Sequence, residues 1–267
     1  MHASARGFSL AEMAVVVAIV ALLLAGLLLP LGTQIEQRNV STTQAQLEAA
    51  REALLGFAII NGRLPCPAAP PPANPAATDG MESPVGGGAC TNYLNGFLPA
   101  VTLGLQPVDS RQFAVDAWGN RIRYAVAQTA IASPGGICPT DSPTAVRTPA
   151  FTNPVATAPN LKLNGIACVP NNLIICSVAT GSTPAACAAN STVTNQNVVV
   201  AVLLSTGKNG ATGGTDTDEL ENLDNDGLFI SHEPRPSSGA GGEFDDILVW
   251  LTAGTLYGRM IAAGALP

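Results

Sequence analysis

The chain has 267 residues, with 12 Lys or Arg against 19 Asp or Glu, and a formal net charge of −7. That balance excludes electrostatic capture of nucleic acid as its business. Only 12% of residues are charged, and 27 glycines and 21 prolines punctuate the sequence, which leaves little room for long helices beyond residue 60.

The first element is a short polar leader, residues 1–7, with Arg6 and no acid. Gly-Phe-Ser-Leu-Ala-Glu follows at residues 7–12, and then an apolar run over residues 13–31 that no charge interrupts. As a helix those 19 residues span about 28 Å, close to the hydrocarbon thickness of a bilayer. The run ends in Leu-Leu-Leu-Pro-Leu-Gly-Thr-Gln, which offers no Ala-x-Ala cleavage site, so it reads as a retained anchor. Positive-inside bias then places the leader in the cytoplasm and the bulk of the chain outside. Glu12, at the edge of the span, is the costly choice, because ionisable groups near lipid are rare and usually paired.

The leader, the Gly7/Phe8 junction, Glu12 and the apolar run together resemble the N-terminus of type IV pilins and of the pseudopilins of type II secretion. The resemblance implies that prepilin peptidase cuts between Gly7 and Phe8 and that the new N-terminus is methylated. It also implies that Glu12, fifth in the mature chain, pairs with the terminal amine of a neighbouring subunit. Pro30 falls one residue later than the family's proline.

Residues 33–60 turn polar but stay rich in helix formers. Val40, Leu47, Ala50, Leu54 and Ala58 recur at helical spacing as a narrow apolar stripe. Asn61-Gly62, with Pro65 beyond it, is a stop. Residues 8–62 therefore read as one long helix, transmembrane in its first half, and residues 63–267 as a globular periplasmic head.

Six cysteines, Cys66, Cys90, Cys138, Cys168, Cys176 and Cys187, all lie beyond the anchor, which favours disulfides outside the cytoplasm. The spacing leaves connectivity open; one pairing, Cys66 with Cys90, closes the Pro/Ala/Gly-rich stretch 65–88, and the others tie an insertion at 138–197. Zinc is excluded by the lack of Cys-x-x-Cys and by a single histidine, His232, after the leader. Short β-type runs at 121–126, 173–179, 198–204 and 247–251 give an α+β, pilin-like head, an antiparallel sheet laid on the helix with an irregular disulfide-tied insertion. Asp116-Ala-Trp-Gly-Asn is a turn, similar to a segment of major pseudopilins that carries prolines absent here. Residues 256–263 read as a short helix placing Leu256, Met260 and Ile261 on the sheet.

The richest oxygen-ligand constellation starts at Asn222. Asn222, Asp224, Asp226 and Gly227 take positions 1, 3, 5 and 6 of a calcium loop and Glu233 position 12, with Asp216, Asp218, Glu219 and Glu221 as alternative ligands. Pro234 blocks the helix a true EF-hand would need, and a solvated acidic turn has the same composition. Major pseudopilins hold calcium in a comparably late acidic loop, which the resemblance extends to this chain. Asp245-Asp246 read as a turn before a strand. Gly207-Lys208 lacks the Ser/Thr of a phosphate loop, and Ser231, His232 and Glu233 are too close in sequence to form a nucleophile and base.

The resulting expectation is a non-enzymatic structural subunit of a type II secretion pseudopilus or type IV pilus. Its partners would be other pilin subunits, prepilin peptidase, the inner-membrane assembly platform and membrane lipid, and no nucleic acid. The alternative is a membrane-anchored periplasmic binding or hydrolytic protein with a pilin-like N-terminus.

Overall fold

The computed structural model describes residues 9–131, 146–157, 159–212, 214, 216–239 and 241–266. The chain divides into two units, Met1–Ser41 and Thr42–Pro267. Helix α1 (Leu10–Asn61) begins in the first and ends in the second. It stops immediately before Gly62, as its sequence requires.

In the first unit the described apolar side chains from Leu10 to Leu22 stand outside any core: Leu10 is 90% exposed and Val17 62%. Residues 23–31, whose side chains lie outside the described residues, complete the expected span. Among the described residues no helix is long and apolar enough to cross a membrane.

The second unit is built on the C-terminal part of α1. Leu47, Ala50, Leu54 and Ala58 are at most 1% exposed, and Leu55 joins them. Fully burying each of these leucines stabilises by about 1.5–3 kcal/mol. Val40, the first member of the expected stripe, falls in the other unit and is half-buried.

After α1 come β1 (Gly96–Phe97), α2 (Ala100–Leu103), β2 (Arg123–Val126), β3 (Thr129–Ile131) and β4 (Val146–Thr148). Then follow α3 (Leu161–Asn164), β5 (Ile174–Cys176), β6 (Thr192–Thr194) and β7 (Val199–Ser205). The chain ends with α4 (Thr217–Glu221), β8 (Leu228–Ile230), β9 (Ile247–Thr252) and α5 (Ala253–Ala262). The main sheet is antiparallel, in the order β1-β2-β7-β9, and its core includes the α1 stripe. β7 is buried at every position, which explains its unbroken apolar run: it is central and covered on both faces. β3 and β4 form a separate pair.

A second three-stranded sheet, β6-β5-β8, was not expected, and its β5–β8 pair is parallel. A parallel pair needs a long connection, and here the chain passes through β6, β7 and α4 between the two strands. The head is therefore more than the single antiparallel sheet read from sequence. Within the 138–197 stretch, β5 falls in the β-type run read at 173–179, whereas β6 was not expected.

Cys66 is bonded to Cys90 and Cys176 to Cys187. Cys168 is also disulfide-bonded; Cys138 lies outside the described residues. Inside the first loop, Arg63 donates to both carboxylate oxygens of Glu82 at 2.7 Å, with both residues almost fully buried. Glu82 also accepts from the Cys66 and Gly86 amides, so the end of α1, the disulfide and the loop share one charged knot.

The Asp116 turn forms as read. Its Oδ1 accepts from the amides of Trp118 (2.9 Å) and Asn120 (2.8 Å), and Gly119 takes φ +87°, which a side chain would resist. In α5, Thr252 caps the N-terminus by accepting from the Thr255 amide, and Leu256 and Met260 are buried. Ile261 is 52% exposed, contrary to expectation, because it lies one helical step round from Met260.

Candidate functional site

Two regions carry the residues of interest. At the N-terminus, Gly7 and Phe8 lie outside the described residues. Ser9 and Glu12 form a reciprocal cap on α1: the Ser9 amide donates to Glu12 Oε2 at 2.8 Å, and the Glu12 amide donates to Ser9 Oγ at 3.2 Å. This is the capping box, whose signature Ser-x-x-Glu stands in the sequence at residues 9–12. It gives Glu12 a local role that its position beside an apolar run does not disclose. The carboxylate remains exposed.

The second region is acidic. Asp216 caps α4, accepting from the Asp218 amide at 2.8 Å, and its other oxygen pairs with Arg235. Asp218 accepts from the Ala179 amide at 2.8 Å and faces His232 Nε2 at 3.2 Å, while His232 stacks on Phe244. Both aspartates thus serve α4 and its neighbours.

Asn222 is buried and spends its amide on the backbone of Ile230 and on Asp246 Oδ2. Glu233 belongs to neither of the acidic groups found among the described residues. Asp224 and Asp226 do converge, with Glu221 rather than with Asn222 and Glu233. Burial raises the Glu221 and Asp226 carboxyls, and the charge of Asp224 adds to both shifts. The loop expected from calcium spacing is therefore divided: its middle forms one acidic group, and its first residue buttresses another.

That other group is Glu219, Asp245 and Asp246, with one carboxylate oxygen of each lying within 4.8 Å of the others. Three carboxylate oxygens this close form a group that could hold one metal ion. Glu219 is 1% exposed and Asp246 7%. Glu219 accepts from Asn209 Nδ2 and from the Asp245 amide; Asp245 Oδ2 accepts from the amides of Lys208 and Asn209. Asp245 Oδ1 is enclosed and has no hydrogen-bond partner. Burial pushes Asp245 up to about 6, the Glu219 and Glu243 charges adding to it, and burial raises Asp246 well above the carboxylate range. Gly207 belongs to the construction, since a Cβ there would stand 2.2 Å from Asp245 Oδ1.

The strand register brings these residues together. Ser205 at the end of β7 pairs with Ile247 at the start of β9, so the 207–209 turn faces Asp245-Asp246. The signal was present in the sequence, a Gly-Lys-Asn turn after one apolar strand and paired acids before another. It needed the β7–β9 pairing to become readable. An all-oxygen set of this kind suits a hard divalent cation.

Residues 2–28 match the prokaryotic N-terminal methylation motif. No curated protein and no solved structure matches the chain. The chain thus carries a prepilin-type N-terminal methylation motif, consistent with a type IV pilin-like or pseudopilin protein.

Proposed function

We propose that this protein is a structural subunit of a type II secretion pseudopilus or a type IV pilus. Prepilin peptidase removes residues 1–7, Phe8 becomes the methylated N-terminus, and residues 13–31 hold the chain in the inner membrane with the head in the periplasm. The inner-membrane assembly platform then adds the subunit to a filament of other pilin or pseudopilin subunits. The observation that carries this reading is the motif over residues 2–28, whose residues 10–28 form the start of a 52-residue helix. The exposed Glu12 carboxylate supports a role for it outside its own chain: its partner would be the Phe8 amine of a neighbour, and that pairing sets the register of addition. Replacing Gly7 with Val tests it. The account predicts a full-length, unassembled protein; normal processing and assembly of the variant would sink it.

Within the head, the cation is assigned to Glu219, Asp245 and Asp246, and calcium fits their oxygen donors. These three carboxylates hold the 207–209 turn, α4 and the start of β9, so an ion there stiffens the join between them. Calcium titration of the melting temperature reads this directly.

A further inference from the structure

The two larger sheets each have one protected edge and one open edge. In the main sheet β1 is only two residues long, and Ala68 of the disulfide-tied loop pairs with Phe97 beyond it, at 2.8 and 3.0 Å. At the other end β9 pairs with β7 alone among the described residues. In the second sheet β8 is buried along its whole length, whereas β6 at the opposite edge is exposed at Thr192 and at Val193, which is 41% exposed.

Open edges present a row of unpaired amides and carbonyls, and proteins usually blunt them with Lys, Pro or a charge. Neither Ile247–Thr252 nor Thr192–Thr194 contains a charge, a proline or a glycine. The β9 edge opens into a groove of about 330 Å³ whose opposite wall is Glu48 and Arg51 of α1. Those two side chains already neutralise each other in an ion pair at 2.7 Å, so the groove suits an uncharged strand rather than a charged one. β6 is such a strand, with Val193 to lie beside Val249 and its threonines on the other face.

We propose that the β9 edge of one copy receives the β6 edge of the next copy as an added strand. Extended backbone is the group that satisfies an open edge, and side chains at alternate positions set which strand is accepted. Because the two edges are different surfaces of the same chain, the contact is heterologous and does not close on a two-fold; it repeats from copy to copy. This rests on the filament reading and names the head-to-head contact within it.

The test uses the full-length chain in membranes carrying Val193→Cys and Val249→Cys together, against each single variant. Among the described residues no native cysteine is free, so new disulfides report the engineered positions. Under mild oxidation the double variant should give a ladder of multimers, roughly tenfold above either single variant, as expected when a contact replaces chance collision. Reduction should return monomers with the wild-type melting temperature, which shows that the substitutions fold. Absence of the ladder overturns the contact, and so does equal crosslinking of Val249→Cys alone, which would mean β9 pairs with β9. Sedimentable filaments are scored in the same samples. Filaments without the ladder leave the filament reading standing and remove this contact; loss of both in a chain that folds removes both.

Discussion

The start of α1 and the acidic region before β9 place carboxylates in opposite situations. Glu12 is exposed and satisfied by its own helix end, through Ser9. Glu219 and Asp246 are buried, crowd the half-buried Asp245, and leave its enclosed Oδ1 with no partner. A satisfied carboxylate at the surface contributes little to the stability of the chain and is free to act on another molecule. A buried, crowded one stores a demand for positive charge within the molecule. The first should therefore matter for assembly and hardly for folding, and the second for folding and only through it for assembly.

The largest effect that separates the two regions is removal of Gly7 as a processing site: Gly7→Val should abolish maturation and filament formation while leaving the melting temperature of the head unchanged. Unfolding of the head in that variant would break the contrast. Next, Arg63→Ala leaves Glu82 buried and unpaired beside the Cys66–Cys90 loop and should cost about 3–5 kcal/mol in denaturant unfolding. A cost below 1 kcal/mol would mean that the buried charges of the head are better hydrated than their enclosure indicates. Calcium at a hundred times its dissociation constant should stabilise by about 2.7 kcal/mol, and Asp245→Asn should remove most of that.

Much of the first region was legible in the sequence and little of the second. Residues 1–31 combine a polar stretch, a Gly/Phe junction, an acid and an apolar run within one continuous segment, so the pattern needs no tertiary contact to be read. The same holds for the stripe Leu47–Ala58 and for the turn at Asp116, both built from local spacing. The capping role of Glu12 was legible too, in Ser-x-x-Glu, but the adjoining apolar run drew the interpretation toward lipid. The acidic region fails as linear text because its ligands come from two segments, Glu219 and Asp245-Asp246, and the turn that supports them from a third. A loop spacing starting at Asn222 suggested calcium, yet the fold turns that amide inward to Ile230 and Asp246. The β7–β9 register then assembles Glu219 with Asp245-Asp246. β5 was legible as the apolar run 173–179, but its sheet was not: β8, which pairs with it in parallel, lies more than fifty residues further on, and β6 has no apolar run of its own.

The smaller effects sharpen the contrast. Asp245 has a folded pKa raised to about 6, above its unfolded value, so the ion-free protein holds this contribution at low pH and loses it as pH rises through about 6. In chelator, wild type should lose about 1–2 kcal/mol relative to Asp245→Asn between pH 4 and pH 7, allowing for solvent screening of a half-buried group. Saturating calcium should remove this fall with pH in the wild type; a rise with pH in chelator would mean that the carboxylate is stabilised without an ion. Smallest of all, Ser9→Ala removes half of the cap on α1. It should cost about 1 kcal/mol of local helix stability, seen as faster amide exchange at residues 10–13, with no change in the unfolding of the head.

The central claim is most directly tested by the intact mass of the protein recovered from cells that carry a prepilin peptidase. A chain beginning at Phe8 with one methyl group on its amine is the predicted result. A chain that retains residues 1–7, or one cut after the apolar run so that Glu12 is lost, would contradict it.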